Sequence, residues 1–381
     1  MVPAFLFLDR KLKAGASGRN RLVERKGAGM EQQIYLKLAA HLDKAHAGAP
    51  MAPALLEILS ILYPGEEAEV ACGLPFYENL TLSGCEKLFP GKKGRLEGIL
   101  NSMAHRGTVF TGKKPGHERT YRLLPSIVGY VEAPFLSGEV TPEKRLLARL
   151  WKEYLSGEFG RELARGTPLI RVIPIGESLA DESQVLPFDA LGEKITGGSF
   201  IAVGHCPCRQ IGRLTGEGCD RPTERCMHFG SLARYFVEMG MARQIDGREA
   251  MEILRSANRE GLVHVCDNLE GSIRTICNCC PCCCGFFRAG AALGLETYSR
   301  SNYLATVDPD RCTACSACSD RCPAGALRVG ERAVVDPKRC IGCGVCTPVC
   351  NGDGAIRLVV REEVNPPPDF KTFLTARMKD N

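Results

Sequence analysis

The sequence contains no apolar run near the ~18 residues that a membrane span requires. Its opening, MVPAFLFLDRKLK, has a five-residue apolar patch with no basic stretch before it, which makes a poor signal peptide. Neither sign of charge dominates. Forty-nine Lys+Arg against 44 Asp+Glu leave +5, too little by itself to argue for a nucleic-acid partner. There is no P-loop, no G-x-S-x-G elbow, no G-x-G-x-x-G between a strand and a helix, and no C-x-x-C-H haem site. These absences set aside the commonest nucleotide-dependent, serine-nucleophile and c-type haem chemistries. The 381 residues allow two or three domains, and 44% apolar with 24% charged residues is an ordinary globular composition.

Cysteine is present in excess. There are 21, all but Cys72 and Cys85 beyond residue 205. They come in C-x-C and C-x-x-C clusters too tight for a disulfide framework, so the expectation is metal ligation by thiolates in a reducing cytoplasm. Cys72 and Cys85, isolated, read as small buried apolar residues.

Helical patterning begins after Met30. Residues 10–28 are basic and rich in Gly and Ala, and 1–29 read as a disordered or non-native extension with Met30 as a candidate start. Tyr35, Leu38 and Leu42 share one face, and Leu55, Ile58, Leu59 and Leu62 repeat at helical spacing. A short helix is expected near Ser83–Leu88 and a longer one near Lys93–His105, stopped by Gly107. Two β-rich runs, Thr108–Thr111 and Thr120–Leu124, follow around the basic loop GKKPGHER. Helix, turn, helix and hairpin is the layout of a winged helix.

A helix over Glu143–Leu155 carries the only Trp, and Leu169–Ile175 and Ser199–Val203 read as strands. Helices follow around Leu232–Met239 and Ala250–Ala257, the second with Asp246 and Glu249 in capping-box positions. Pro366–Pro368 are expected to end regular structure before a polar tail. The expected fold class is α+β. It comprises a winged-helix-like domain over 30–135, a cysteine-rich α/β domain over 136–300, a two-cluster domain over 301–362 and a tail over 363–381.

The most specific motif lies in the third of these. Cys312, Cys315, Cys318 and Cys322-Pro323 match C-x2-C-x2-C-x3-C-P in full, and Cys340, Cys343, Cys346 and Cys350 repeat the spacing 28 residues on. Three cysteines in one tight loop wrap three irons of a cubane, and the remote fourth comes from the other half. The two [4Fe–4S] ligand sets are therefore Cys312, Cys315, Cys318, Cys350 and Cys340, Cys343, Cys346, Cys322. The second half ends in Cys350-Asn351 rather than Cys-Pro, a departure that bears on solvent access at the first cluster.

Upstream, Cys206, Cys208, Cys219 and Cys226 lie within 21 residues among Gly and Pro. A C-x-C pair puts both sulfurs on one side of an extended chain, and four such thiolates suit a third [4Fe–4S] cluster or a zinc ion, the remaining alternative being unligated or redox-active thiols. Arg209 and Arg213 would offset the charge, while His205, His228 and His264 read as hydrogen-bonding residues. The block Cys277, Cys279, Cys280, Cys282, Cys283, Cys284 has too many neighbours pointing opposite ways to serve one cubane. Some of its thiols should serve another site, such as the Cys206–Cys226 one, or form a thiol pair.

The C-terminal quarter resembles the bacterial two-[4Fe–4S] ferredoxins. Residues from about 30 onward resemble multidomain 4Fe–4S ferredoxin-type proteins of anaerobic bacteria and archaea. The wider resemblance rests on His205-Cys-Pro-Cys-Arg209, Gly218-Cys-Asp-Arg-Pro222, Gly261-Leu-Val-His264 and Cys277-Asn-Cys-Cys280. It implies electron transfer and names no substrate. The leading expectation is a cytoplasmic electron-transfer protein or subunit serving a redox partner protein. One rival is a redox-sensing winged-helix transcription regulator. In its favour, residues 86–122 hold nine Lys+Arg (Lys87, Lys92, Lys93, Arg95, Arg106, Lys113, Lys114, Arg119, Arg122) against three Glu, where DNA phosphates would be met. The other rival is an oxidoreductase with its site at Cys277–Cys284.

Overall fold

The computed structural model describes residues 28–174, 195, 198–270, 273–352, 354–361 and 365–378. The expected extension lies almost wholly outside them. The protein mixes helix and sheet, 43% and 18%. No helix among the described residues is long and apolar enough to cross a membrane.

Three helices, Ala28–Leu42, Pro53–Leu62 and Glu66–Gly73, open the chain. The stripe Leu55, Ile58, Leu59, Leu62 is buried, as helical spacing requires. Strand β1 (Leu80–Thr81) leads into helix Leu82–Leu88, where the Thr81 side chain accepts from the Gly84 amide. Helix Leu96–Arg106 buries Leu96, Leu100 and Met103 and ends at Gly107, whose φ of 82° is the left-handed stop foreseen for it. Strands β2 (Val109–Lys113) and β3 (Arg119–Leu123) form an antiparallel hairpin, and the sheet order is β1-β3-β2.

Helix Pro142–Ser156, capped by Thr141, packs Leu147, Trp151 and Tyr154 into the same core, with Trp151 among Tyr130, Tyr154 and Phe159. The C-terminal segment is not a polar tail. Residues Phe370–Met378 form a helix that buries Phe373 and Arg377 against the N-terminal helices. Arg377 is fully buried and donates to the carbonyls of Glu162 (2.8 Å), Thr167 (2.9 Å), His46 and Arg165. The prolines do not prevent the element that follows, and a buried guanidinium with so many acceptors holds that helix down.

The middle of the chain is a six-stranded antiparallel sheet. Its strands are β4 (Ile170–Ile173), β5 (Ile201–His205), β6 (Glu224–Phe229), β7 (Arg243–Ile245), β8 (Val263–Asp267) and β9 (Thr275–Cys279), in the order β4-β8-β9-β6-β5-β7. Helix Gly247–Arg259, capped by Asp246 as its sequence suggests, lays Ala250, Ile253 and Leu254 on one face, against Ile201, Val203, Met227 and Ile276. Alternation along the strands turns Cys226, His228, Cys277, Cys279, Val263 and Val265 to the other face.

The last unit pairs β10 (Tyr303–Val307) with β13 (Ile356–Val360), and β11 (Leu327–Val329) with β12 (Ala333–Val335). It is docked on the sheet domain. Arg321 donates to the carbonyls at the end of helix Gly247–Arg259 and to Val345 (3.1 Å). Ile341, Cys343 and Val345 share a buried core with Val172, Val263, Val265, Cys279, Cys284 and Phe287.

Candidate metal centres

The two loops 312–318 and 340–346 curl in the same way. Ala314 and Ser316 have φ of 51° and 65°, and Gly342 and Gly344, each 28 positions later, have 68° and 72°. These left-handed residues turn successive thiols inward. One cradle, of about 20 Å³, is lined by Cys312, Cys315, Cys318 and Cys350, and a second of the same size by Cys322, Cys340, Cys343 and Cys346. Each cradle thus takes three thiols from one loop and the fourth from the other half.

The cradles differ in depth. Cys315 is exposed, whereas Cys340, Cys343 and Cys346 are buried. Pro323 lines the second cradle, while Asn351, which follows the corresponding cysteine, is exposed at the first. Amides of Ala333 and Ala326 donate to Cys312 Sγ (3.3 Å) and Cys322 Sγ (3.2 Å). Burial pushes the Cys343 thiol up to about 12, so a thiolate there needs cationic partners. Four inward thiols, amide donors to sulfur and no other cation in the cradle lining fit an iron–sulfur cluster, which supplies the missing positive charge and a one-electron couple.

The middle cysteines divide into two groups, each joining thiols of the Cys277–Cys284 block to thiols of the Cys206–Cys226 set. Cys206, Cys208, Cys219 and Cys226 do not converge on one point. Cys206-Pro-Cys208 is not extended but opens helix Pro207–Leu214, so the same-side argument for a C-x-C pair does not apply there. It applies instead to Cys277 and Cys279 in β9. Cys219 lies beyond the far end of that helix, where Gly218 folds back so closely that a Cβ would lie 2.7 Å from the Arg213 nitrogen.

Cys219 there meets Cys280, Cys282 and Cys283 from the turn between β9 and helix Gly285–Leu293, all four sulfurs within 4.8 Å of one another. Sulfur separations are 3.9 Å for Cys219–Cys280, 3.8 Å for Cys219–Cys283 and 3.9 Å for Cys282–Cys283. A tetrahedral ion with metal–sulfur bonds of about 2.3 Å spaces its sulfurs about 3.8 Å apart, so this group has the size of a single-ion site. Among the described residues, the two ferredoxin-type cradles hold no such compact group. The Cys283 thiol is pulled down to about 5, first by its hydrogen bond with Cys280.

Seven thiols remain, and all border a chamber of about 80 Å³ between the sheet and the segments 127–132 and 155–163. Cys206, Cys208, Cys226, Cys277, Cys279 and Cys284 face it, while the β8 register turns Cys266 toward the core on the sheet's helix side. Cys226 and Cys277 are cross-strand neighbours with sulfurs 3.9 Å apart. Hydrogen-bond contacts continue from Cys277 to Cys279, Cys284, Cys208 and Cys206. Cys277 and Cys284 accept along this chain and are held well below the usual thiol range. Cys206, Cys226 and Cys279 are pushed well above it, chiefly by donating to neighbouring sulfurs and by burial.

Arg209 is fully buried and donates to the carbonyls of Pro222 (2.9 Å) and Asn278 (2.5 Å). Burial opposes its charge, but Cys206, Cys280 and Cys279 outweigh that and raise its pKa, so it lies near thiols of both groups.

Two acids that no motif marked adjoin the chamber. Desolvation raises Glu132 to about 8, and Asp267 also rises through burial. His228 borders the chamber, with Cys226 Sγ at 3.5 Å and Thr275 at 3.3 Å, while His205 contacts Thr223 and His264 contacts Asn278. Cys85 is buried and Cys72 partly so, and burial raises both thiols.

Five of the nine basic residues have partners inside the protein, while Lys87, Lys93, Lys113 and Lys114 are exposed. Lys92 and Arg95 pair with Glu66, Lys92 also with Glu69, Arg106 with Glu67 and Arg119 with Glu238, while Arg122 lies over the Phe110 ring. The exposed face of helix Leu96–Arg106 carries Glu97, Asn101, Ser102 and His105, with Arg106 part-buried beside it and Lys93 and Arg95 exposed just before its start.

No curated protein and no solved structure matches the chain. Residues 305–328 match the family model described as the 4Fe-4S binding domain, a stretch that contains Cys312, Cys315, Cys318 and Cys322, so this part of the chain is a 4Fe–4S ferredoxin-type domain.

Proposed function

We propose that the protein relays single electrons through two [4Fe–4S] clusters, held by Cys312, Cys315, Cys318, Cys350 and by Cys340, Cys343, Cys346, Cys322, within a cytoplasmic redox system. The observation that carries this reading is the placement of the two cradles. The first opens to solvent at Cys315, where a redox partner protein can approach. The second is buried, and its Cys343 shares a packed core with Cys279 and Cys284 of the six-thiol chamber. The order surface, first cluster, second cluster, chamber gives electrons a path into the protein.

The N-terminal unit, with its helix pair and β1-β3-β2 sheet, has a winged-helix layout. It serves here as part of the wall, since Ile127, Val131 and Glu132 line the chamber. The DNA-binding alternative has less support, because Lys92, Arg95, Arg106 and Arg119 are already paired with glutamates of the protein. Cys219, Cys280, Cys282 and Cys283 hold one tetrahedral ion, zinc or iron, that ties the β9 turn to the 207–214 helix.

Anaerobic protein titrated with a one-electron reductant and followed by electron paramagnetic resonance tests the relay. Two interacting [4Fe–4S]⁺ signals are expected, one of them lost in Cys315→Ser. Protein that contains iron and sulfide but accepts no electron would overturn the reading.

A further inference from the structure

We infer that the six-thiol chamber is the site of a third iron–sulfur centre, distinct from the two in the ferredoxin-type domain and from the single-ion group. It extends the relay reading by naming what receives electrons beyond Cys343.

Cysteines that serve only as small apolar residues pack together and leave no space. Here six thiols face one void, delivered by β6, β9 and the starts of helices Pro207–Leu214 and Gly285–Leu293. The void is about 80 Å³, against about 20 Å³ in each ferredoxin-type cradle. The remaining wall is largely apolar, including Val131, Leu155, Leu163, Ile170 and Phe286, with Glu132, His228, Asp267 and Thr275 as its polar groups.

The donor set selects the occupant. Six sulfurs exceed the four of a tetrahedral ion. They also form an open chain around the void, and among the described residues they make no group of three within 4.8 Å. A polynuclear centre needs its thiolates spread in this way around several metal atoms. Two helices begin at these cysteines, and the Gly285 amide donates to Cys208 Sγ (3.4 Å), so backbone dipoles favour thiolate at that end. Arg209 stands by Cys206, yet one guanidinium cannot balance six thiolates, and iron supplies the rest of the positive charge.

The test is inorganic sulfide, because a single-ion site contributes none. Anaerobically prepared full-length protein should hold about twelve or more sulfides and at least as many irons, against about eight for two cubanes. Cys279→Ser/Cys284→Ser should remove at least a third of the sulfide while leaving zinc content and far-UV circular dichroism unchanged. Cys315→Ser/Cys343→Ser should leave the chamber's sulfide in place. A wild-type content of about eight sulfides overturns the inference whatever the variants do. That result with a reducible protein would leave the two-cluster relay standing, whereas twelve sulfides in a protein that takes up no electron would sink the relay and keep the chamber centre.

Discussion

The loop Cys312–Cys318 delivers three thiols to one cradle within a single curl of chain, whereas the single-ion group joins Cys219 to Cys283, 64 residues away. In the first case local backbone angles aim the ligands. In the second, aiming depends on the β6–β9 register, on Gly218 folding against the 207–214 helix, and on the turn after β9. The same side-chain chemistry thus has opposite relations to the fold. The ferredoxin-type loops shape a site for the metal, while in the middle domain the metal would hold remote segments together.

The largest effect expected from this contrast is on stability. Cys280→Ser should destabilise the helix–sheet body by about 3 kcal/mol or more, because metal-binding free energy at a long-range site is folding free energy. Cys315→Ser should remove about four irons yet shift unfolding of the body by less than about 1 kcal/mol. Trp151, the only tryptophan and buried in that body, reports this unfolding by fluorescence. If the two variants melt alike, the contrast is broken.

The contrast also explains what could be read in advance. The eight ferredoxin-type thiols are legible because spacing and geometry coincide in a local loop. Helix stops and caps such as Gly107 and Asp246 are legible for the same reason. The division of the Cys277–Cys284 block is not, since it follows from Cys226 lying opposite Cys277, a pairing set by strands 51 residues apart. Alternation showed that the block could not serve one site, but grouping Cys219 with Cys206 assumed that neighbours in sequence share a metal. Glu132 carries no local signal at all. The helix Phe370–Met378 escaped because its anchor, Arg377, looks like any surface arginine until His46, Glu162 and Thr167 surround it.

Next in size is Gly342→Ala. An added Cβ would collide with Ser301 Oγ and the Tyr303 carbonyl, and φ of 68° adds strain. A loss of roughly 3 kcal/mol is expected, with the cluster at Cys340, Cys343 and Cys346 depleted first. Equal retention of iron in both cradles would show that the second loop is not shaped as tightly as its contacts imply.

Acid should separate the regions further. Residues 301–361 contain no histidine, whereas burial lowers His46 to about 3 and His264 to about 4 in the body. Each folded-state value lies below the unfolded 6.5, so the stabilising contribution is present above pH 6.5 and is lost as pH falls towards 4 and 3. The slope is about 1.4 kcal/mol per pH unit for each group over that window. Trp151 fluorescence should therefore show a pH-dependent loss of stability, and His46→Gln should make it shallower by about one proton. An unchanged slope would place the acid sensitivity elsewhere.

The smallest effect concerns the two halves of the ferredoxin-type domain. Ala314 and Ser316 hold left-handed backbone angles that glycine holds at 342 and 344. A side chain in that region costs roughly 1 kcal/mol, so Ala314→Gly relieves strain. Glycine also frees the unfolded chain, which offsets about 0.4–1 kcal/mol. The two terms nearly cancel, and Ala314→Gly/Ser316→Gly should leave iron content unchanged and stability within about 1 kcal/mol of wild type in a denaturant titration. The near-neutrality is informative because the reverse exchange at Gly342 meets backbone and side-chain atoms as well as strain. A double variant that sheds the iron of its cradle would show that Ala314 and Ser316 contribute contacts to the first cluster, and the two loops would then differ in more than their depth.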